Sequence, residues 1–205
     1  MSLYHDLLAK TFRPQVLSFL RNDWHIGKIN FSFQGYKVYP SCYKVDIKNA
    51  IENSDIELRV KRLSGRVMAR YWDSVLFWDD ELVLSEKFNI ANTLDQSYLV
   101  HECTHAHLDN QNLGQMQRDL NEAICYTAQH VWLMAVVNAN TGRLAMPKGR
   151  IHAAAHNIGK QILGGQSNQY NVDPLLAQAL RDAIRSDPEY AKVIRKHPTV
   201  TSDGV

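Results

Sequence analysis

Several things are scarce in this chain, and each absence excludes something. There are only three cysteines, Cys42, Cys103 and Cys125, with no C-x-x-C spacing. That excludes a disulfide framework or a four-cysteine zinc site and reads as reduced, buried thiols. No run of 18 or more apolar residues occurs, so no transmembrane helix is expected. The N-terminus lacks a charged segment followed by an apolar one, so no secretory signal is expected. The expected setting is cytoplasmic, or export by a signal-independent route. Charge of one sign is also missing: 23 Lys and Arg face 21 Asp and Glu, a formal net charge of +2. With no basic run, nothing argues for nucleic acid or a membrane surface as partner. Repeats, low-complexity tracts and domain linkers are absent too, which predicts a single domain over 1–205.

What is present is an ordinary globular composition, 45% hydrophobic and 21% charged, enough for a sizeable core. Leu3, Leu7, Leu8 and Phe12 recur at helical spacing. Pro14 is expected to break or restart that helix before Val16, Leu17 and Leu20. Ile29, Phe31 and Phe33 alternate as a strand ending at Gly35. Val45 to Asn53 reads as helix. Ile56, Leu58 and Val60 alternate again, Ser64-Gly65 reads as a hairpin turn, and Arg66 to Trp72, Ser74 to Trp78 and Glu81 to Ser85 read as further strands. The expected class is α+β: a small, twisted, mostly antiparallel sheet within about 1–92, packed on a helical half over about 93–198. In that half Asp95 is the expected N-cap of a helix through Leu108. Asp119 to Asn138 and Lys148 to Leu163 are the next helices, the latter stopped by Gly164-Gly165. Asp173-Pro174 starts a fourth. Ser186-Asp187-Pro188 interrupts it, a short turn follows through Tyr190 and Val193, and Thr199 to Val205 reads as a frayed tail.

The most informative stretch is His101-Glu102-Cys103-Thr104-His105, an H-E-x-x-H pattern. Nine histidines and seven glutamates in 205 residues put its chance expectation at roughly 0.01 per chain. On a helix, His101 and His105 lie one turn apart on one face, where two imidazoles can bind one tetrahedral Zn²⁺. Glu102 is rotated by about 100° and borders that face without binding. It is placed to take a proton from a metal-bound water, whose pKa falls to about 7.

A catalytic zinc usually has three protein ligands. A third histidine six residues on is excluded, because Gln111 stands there. Glu122 is the better candidate. Two antiparallel helices joined near Gly114 would set it opposite His101 and His105, and its neighbours Ala123, Ile124 and Cys125 suggest burial. Asp119 is the rival, and Asp109 could orient an imidazole from behind. Tyr126, one turn after Glu122, is a candidate oxyanion donor. His152 and His156 form an H-x-x-x-H pair. His156 is a second candidate donor, and the pair could hold a second metal. His5, His25, His107, His130 and His197 read as incidental.

These residues resemble the zincin metallopeptidases, in particular the gluzincin-like branch, where a glutamate ligand on a later helix follows H-E-x-x-H. Leu99-Val100-His101-Glu102-x-x-His105-Ala106, followed by Asn121-Glu122-Ala123-x-x-Tyr126-x-x-Gln129, is similar to small metallopeptidase domains of bacterial secreted toxins and effectors. The likeness covers about residues 81 to 132. The interval to Glu122 is shorter than in better-known members, and His107 stands where an apolar residue is usual. The resemblance implies one zinc per chain held by His101, His105 and Glu122, with Glu102 as general base and acid. It also implies a peptide or protein substrate and, for a toxin, an immunity or inhibitor protein as partner. The expected activity is hydrolysis of peptide bonds. The alternatives are a zinc-binding module without peptidase activity, or an amidase acting on cell-wall peptides or small amides.

Overall fold

The computed structural model describes residues 3–65, 67–72, 80–139, 148–165 and 170–202. The architecture is α+β, with seven α-helices and three small sheets among the described residues. Helix α1 (Leu3–Asn22) runs straight through Pro14, so the expected break does not occur. Pro14 and Lys10, whose carbonyl it leaves unpaired, both lie on the exposed face, where water can supply the missing bond. Val16, Phe19 and Leu20 bury the other face. Strands β1 (Phe31–Phe33) and β2 (Tyr36–Val38) form a hairpin. Gln34 and Gly35 both take positive φ, 50° and 94°, the two-residue turn whose twist suits a hairpin. Cys42–Ile47 is π-helical and continues into α2 (Lys48–Asn53), as the helical reading of Val45 to Asn53 expects.

The sheet beside the site contains β3 (Ile56–Lys61), β4 (Ala69–Trp72) and β5 (Asp80–Ser85), in the order β3-β5-β4. It is mixed: β3 is parallel to β5 and β4 antiparallel to it. The hairpin expected at Ser64-Gly65 therefore does not pair its flanking strands, because β5 lies between them. The reason is in the side chains. Leu82, Val83 and Leu84 form a continuous apolar run buried on both faces, which belongs at a sheet centre. β3 alternates buried and half-buried residues, and β4 is the more exposed edge. The expected strand Ser74 to Trp78 lies outside the described residues.

Helix α3 (Thr93–Asn110) carries the H-E-x-x-H residues. Its N-cap is Asn92, whose side chain accepts from the N–H groups of Leu94 and Asp95. Asp95, expected to cap, is buried one turn in and accepts from Asn89 N–H at 2.8 Å. The short strand β6 (Gly114–Gln117) then leads into α4 (Arg118–Ala139). Ala123, Ile124, Cys125, Ala128, Val131 and Trp132 of α4 are fully buried, as are Thr127, Gln129 and His130, so this helix is buried nearly all round and forms the centre of the helical half. It runs antiparallel to α3: Gln129 meets Ser97 at one end of the contact, and Asn121 meets His105 at the other.

Helix α5 (Arg150–Gly164) packs on α4 at Gly159, where a Cβ would lie 2.9 Å from Met134 Sδ. Strand β7 (Tyr170–Asn171) adds parallel to β1. Helices α6 (Pro174–Ser186) and α7 (Pro188–Lys196) start at Asp173-Pro174 and Asp187-Pro188, each Asp accepting from two N–H groups of the first turn. The C-terminal stretch read as a frayed tail is ordered in part: Thr199–Ser202 forms β8, paired antiparallel with β6. Among the described residues, no helix is long and apolar enough to cross a membrane.

Candidate metal centre

The helical spacing that places His101 and His105 on one face of α3 also turns them towards α4. Their Nε2 atoms are 3.1 Å apart. Glu122 Oε2 lies 3.5 Å from His101 Nε2 and 3.8 Å from His105 Nε2. Tetrahedral ligands 2.0–2.1 Å from zinc are separated by about 3.3–3.4 Å. The three atoms thus span a triangle that one Zn²⁺ can face, with the fourth position open.

Two of the three candidate ligands, His105 and Glu122, are held from behind. Asn121 Oδ1 lies 2.5 Å from His105 Nδ1, which puts the proton on Nδ1 and leaves the Nε2 lone pair aimed at the centre. Gln129 stands behind His101 with its amide nitrogen anchored on Ser97 Oγ at 3.1 Å, but no hydrogen bond closes between its Oε1 and His101 Nδ1. The Tyr190 hydroxyl donates to Glu122 Oε2 at 3.2 Å and lies 2.9 Å from the Tyr126 hydroxyl. None of these three residues is singled out by the H-E-x-x-H pattern. Asn121 and Gln129 were legible only as polar residues flanking Glu122 and Tyr126 on a buried helix. Tyr190 had no local signal, because α7 reaches the site through the fold.

The charges fit a cation. Burial alone would raise the pKa of Glu122, but His105 and His101 outweigh it and bring the carboxyl down to about 2. Burial takes His105 down to about 4, so its imidazole is neutral. At His101 burial acts downward, and Glu122 and Glu102 outweigh it to leave the pKa raised. Cys125 is the other side chain within reach: its Sγ, His101 and His105 all offer ligand atoms within 4.8 Å of one another. Glu122 is ionised and lies within 3.8 Å of both imidazoles, which favours Glu122 as third ligand. Asp119, the sequence rival, is engaged elsewhere, in ion pairs with Arg181 at 2.7 Å and Arg185 at 2.8 Å.

Glu102 borders the triangle. Its Oε2 accepts the Tyr71 backbone N–H of the edge strand β4 at 2.7 Å. Burial, opposed by His101 and that N–H, pushes its carboxyl up to about 7. Tyr71 also uses its hydroxyl, towards Asp80 at 2.5 Å and Asp109 at 2.7 Å. Asp109 thus braces β4, not an imidazole. A cleft of about 700 Å³ opens over the site, lined by His101, Glu102, His105, Glu122 and Tyr126, by β4, and by residues of α7 and β8.

His156 does not line this cleft. Its ring centroid lies 6.4 Å from that of His130, while His152 Nδ1 meets His130 Nε2 at 3.0 Å. The fold therefore gathers His101, Glu102, His105, Glu122 and Tyr126 and leaves His156 out, because α5 sets His156 against His130, one turn past Tyr126 on α4, while His152 packs against both His130 and Tyr126. The strand Glu81 to Ser85 is the central strand β5, and the edge beside the cleft belongs to β4. Compared with family models, with curated proteins and with solved structures, the chain matches none of them, so the functional reading rests on this geometry.

Proposed function

We propose that the chain is a zinc-dependent hydrolase that cleaves peptide bonds. The observation that carries the reading is the convergence of His101, His105 and Glu122 within 3.8 Å, with Glu102 beside them and a cleft above. His101, His105 and Glu122 would hold one zinc. When bound, the ion supplies a Lewis acid that acidifies water at its open position and polarises a carbonyl.

The chain's own residues supply the rest. Glu102 takes a proton from the attacking water and passes it to the leaving amine. A carboxyl near pKa 7 is poised for both steps at neutral pH. The Tyr71 N–H fixes one carboxylate oxygen and leaves the other to face the water. Tyr190 commits its proton to Glu122, so the Tyr126 hydroxyl can turn from Tyr190 to the developing oxyanion. The edge of β4 can hold an extended peptide by strand addition.

Glu102→Gln tests the assignment. Hydrolysis of an unfolded protein is expected to fall roughly 10²–10⁴-fold, with zinc content unchanged. Undiminished hydrolysis at equal zinc content would remove Glu102 as the base and the proposal with it. Loss on small amides or cell-wall peptides alone would reassign the substrate.

A further inference from the structure

His107 follows His105 by two residues and so projects from nearly the opposite side of α3. It meets a second group of metal-capable side chains there, away from the cleft. Its Nε2 lies 3.0 Å from Cys42 Sγ, and ligand atoms of Cys42, Asp46 and His107 all lie within 4.8 Å of one another. Two more polar groups crowd the same nitrogen: the Gln111 amide nitrogen at 2.6 Å and the Lys37 carbonyl oxygen at 3.4 Å. A neutral imidazole nitrogen either donates one proton or accepts one hydrogen bond. It cannot satisfy a thiol, an amide and a carbonyl together.

A cation at the centre of the group resolves the conflict. Imidazole, thiolate and carboxylate each give it a lone pair, and the Lys37 carbonyl or a turned Gln111 amide gives a fourth. The backbone is unusual at this place too. Cys42 and Asp46 sit on the π-helical segment Cys42–Ile47, a rare conformation that recurs at functional sites. The donor set is one that zinc favours. Cys42 is fully buried and His107 nearly so, which suits a structural centre.

We propose that Cys42, Asp46 and His107 form a second, structural zinc centre that ties the π-helical segment to the last turns of α3. On binding, the Cys42 S–H bond breaks, the proton leaves to solvent, and the thiolate pair forms the bond to the metal. No electron is transferred. The centre does not depend on the hydrolase reading. It raises the expected content from one zinc to two.

Cobalt(II) titration of the full, metal-stripped chain tests it. A thiolate ligand gives a sulfur-to-cobalt charge-transfer band in the near ultraviolet, which imidazole and carboxylate ligands lack. The band is expected in the wild type and in the His101→Ala/His105→Ala variant, and is expected to vanish in Cys42→Ser. Asp46→Asn changes only a half-exposed side chain. It is expected to weaken cobalt binding at this band by more than the roughly tenfold that losing an outer-shell partner costs. No band in the wild type would overturn the proposal. So would a band that survives Cys42→Ser and vanishes in Cys125→Ser, which would move the thiolate to the first centre. If Cys42→Ser does not fold, an unchanged cobalt affinity in Asp46→Asn overturns it.

Discussion

Asn121 stands behind His105 and decides which nitrogen of that imidazole faces the centre. Such partners typically matter 10–100-fold to metal affinity. Asn121→Ala is therefore expected to weaken zinc binding by about that factor, measured by chelator competition, while Asn121→Asp, which still accepts from Nδ1–H, retains it. Equal affinity in Asn121→Ala would mean that His105 is oriented by packing alone. At this scale the sequence carried a large part of the site. His101, Glu102 and His105 are legible because helical periodicity alone sets their relation. Glu122 follows because it is the only carboxylate of the next helix beyond its first turn, and Tyr126 because it lies one turn later on the same face. His107 reads as incidental in the sequence because Cys42, whose Sγ lies 3.0 Å from its Nε2, sits on a distant segment whose π-helical form has no sequence signature.

Elements set the distances between these residues. Helix α3 starts at Asn92, which satisfies two N–H groups that would otherwise lack partners. Asn92→Ala is expected to cost about 1 kcal/mol of stability, read from denaturant midpoints at constant m-value. Asp95→Ala removes the contact with Asn89 and leaves the cap in place, so the two variants separate capping from loop anchoring. Helix existence was legible in the C-terminal half as far as α6, whose start Asp173-Pro174 states outright, but the stretch after Asp187-Pro188, which reads as a short turn, is the 9-residue helix α7. Strand order was not. Only the buried run Leu82-Val83-Leu84 hinted that β5 is central, and short polar strands such as β6 and β8 form because they find each other in space. The consequence reaches the site: with β5 inside the sheet, β4 is left at the edge, and its Tyr71 N–H is free to hold Glu102.

The whole molecule responds to acid through its buried histidines. Burial, with His152 and His156 nearby, holds His130 down to about 3, and burial also lowers His107 and His152. An unfolded histidine binds its proton near pH 6.5, well above these folded values. The unfolded state therefore binds more protons as pH falls below about 6.5, and stability drops through the window down to about 3. Thermal melts of the metal-stripped chain are expected to shift downward between pH 7 and 4, less steeply in His130→Gln. Equal slopes would show that His130 titrates normally in the folded state. Zinc adds to this at the other end of the scale, since an ion that binds only the folded chain raises its stability.

The central claim is that His101, His105 and Glu122 together hold a metal ion. The most direct test is zinc content of the wild type and of Glu122→Ala, by elemental analysis after exhaustive buffer exchange. The account predicts zinc in the wild type and about one equivalent less in the variant. Equal content in both would take Glu122 out of the centre, and no zinc in the wild type after reconstitution would contradict the centre itself.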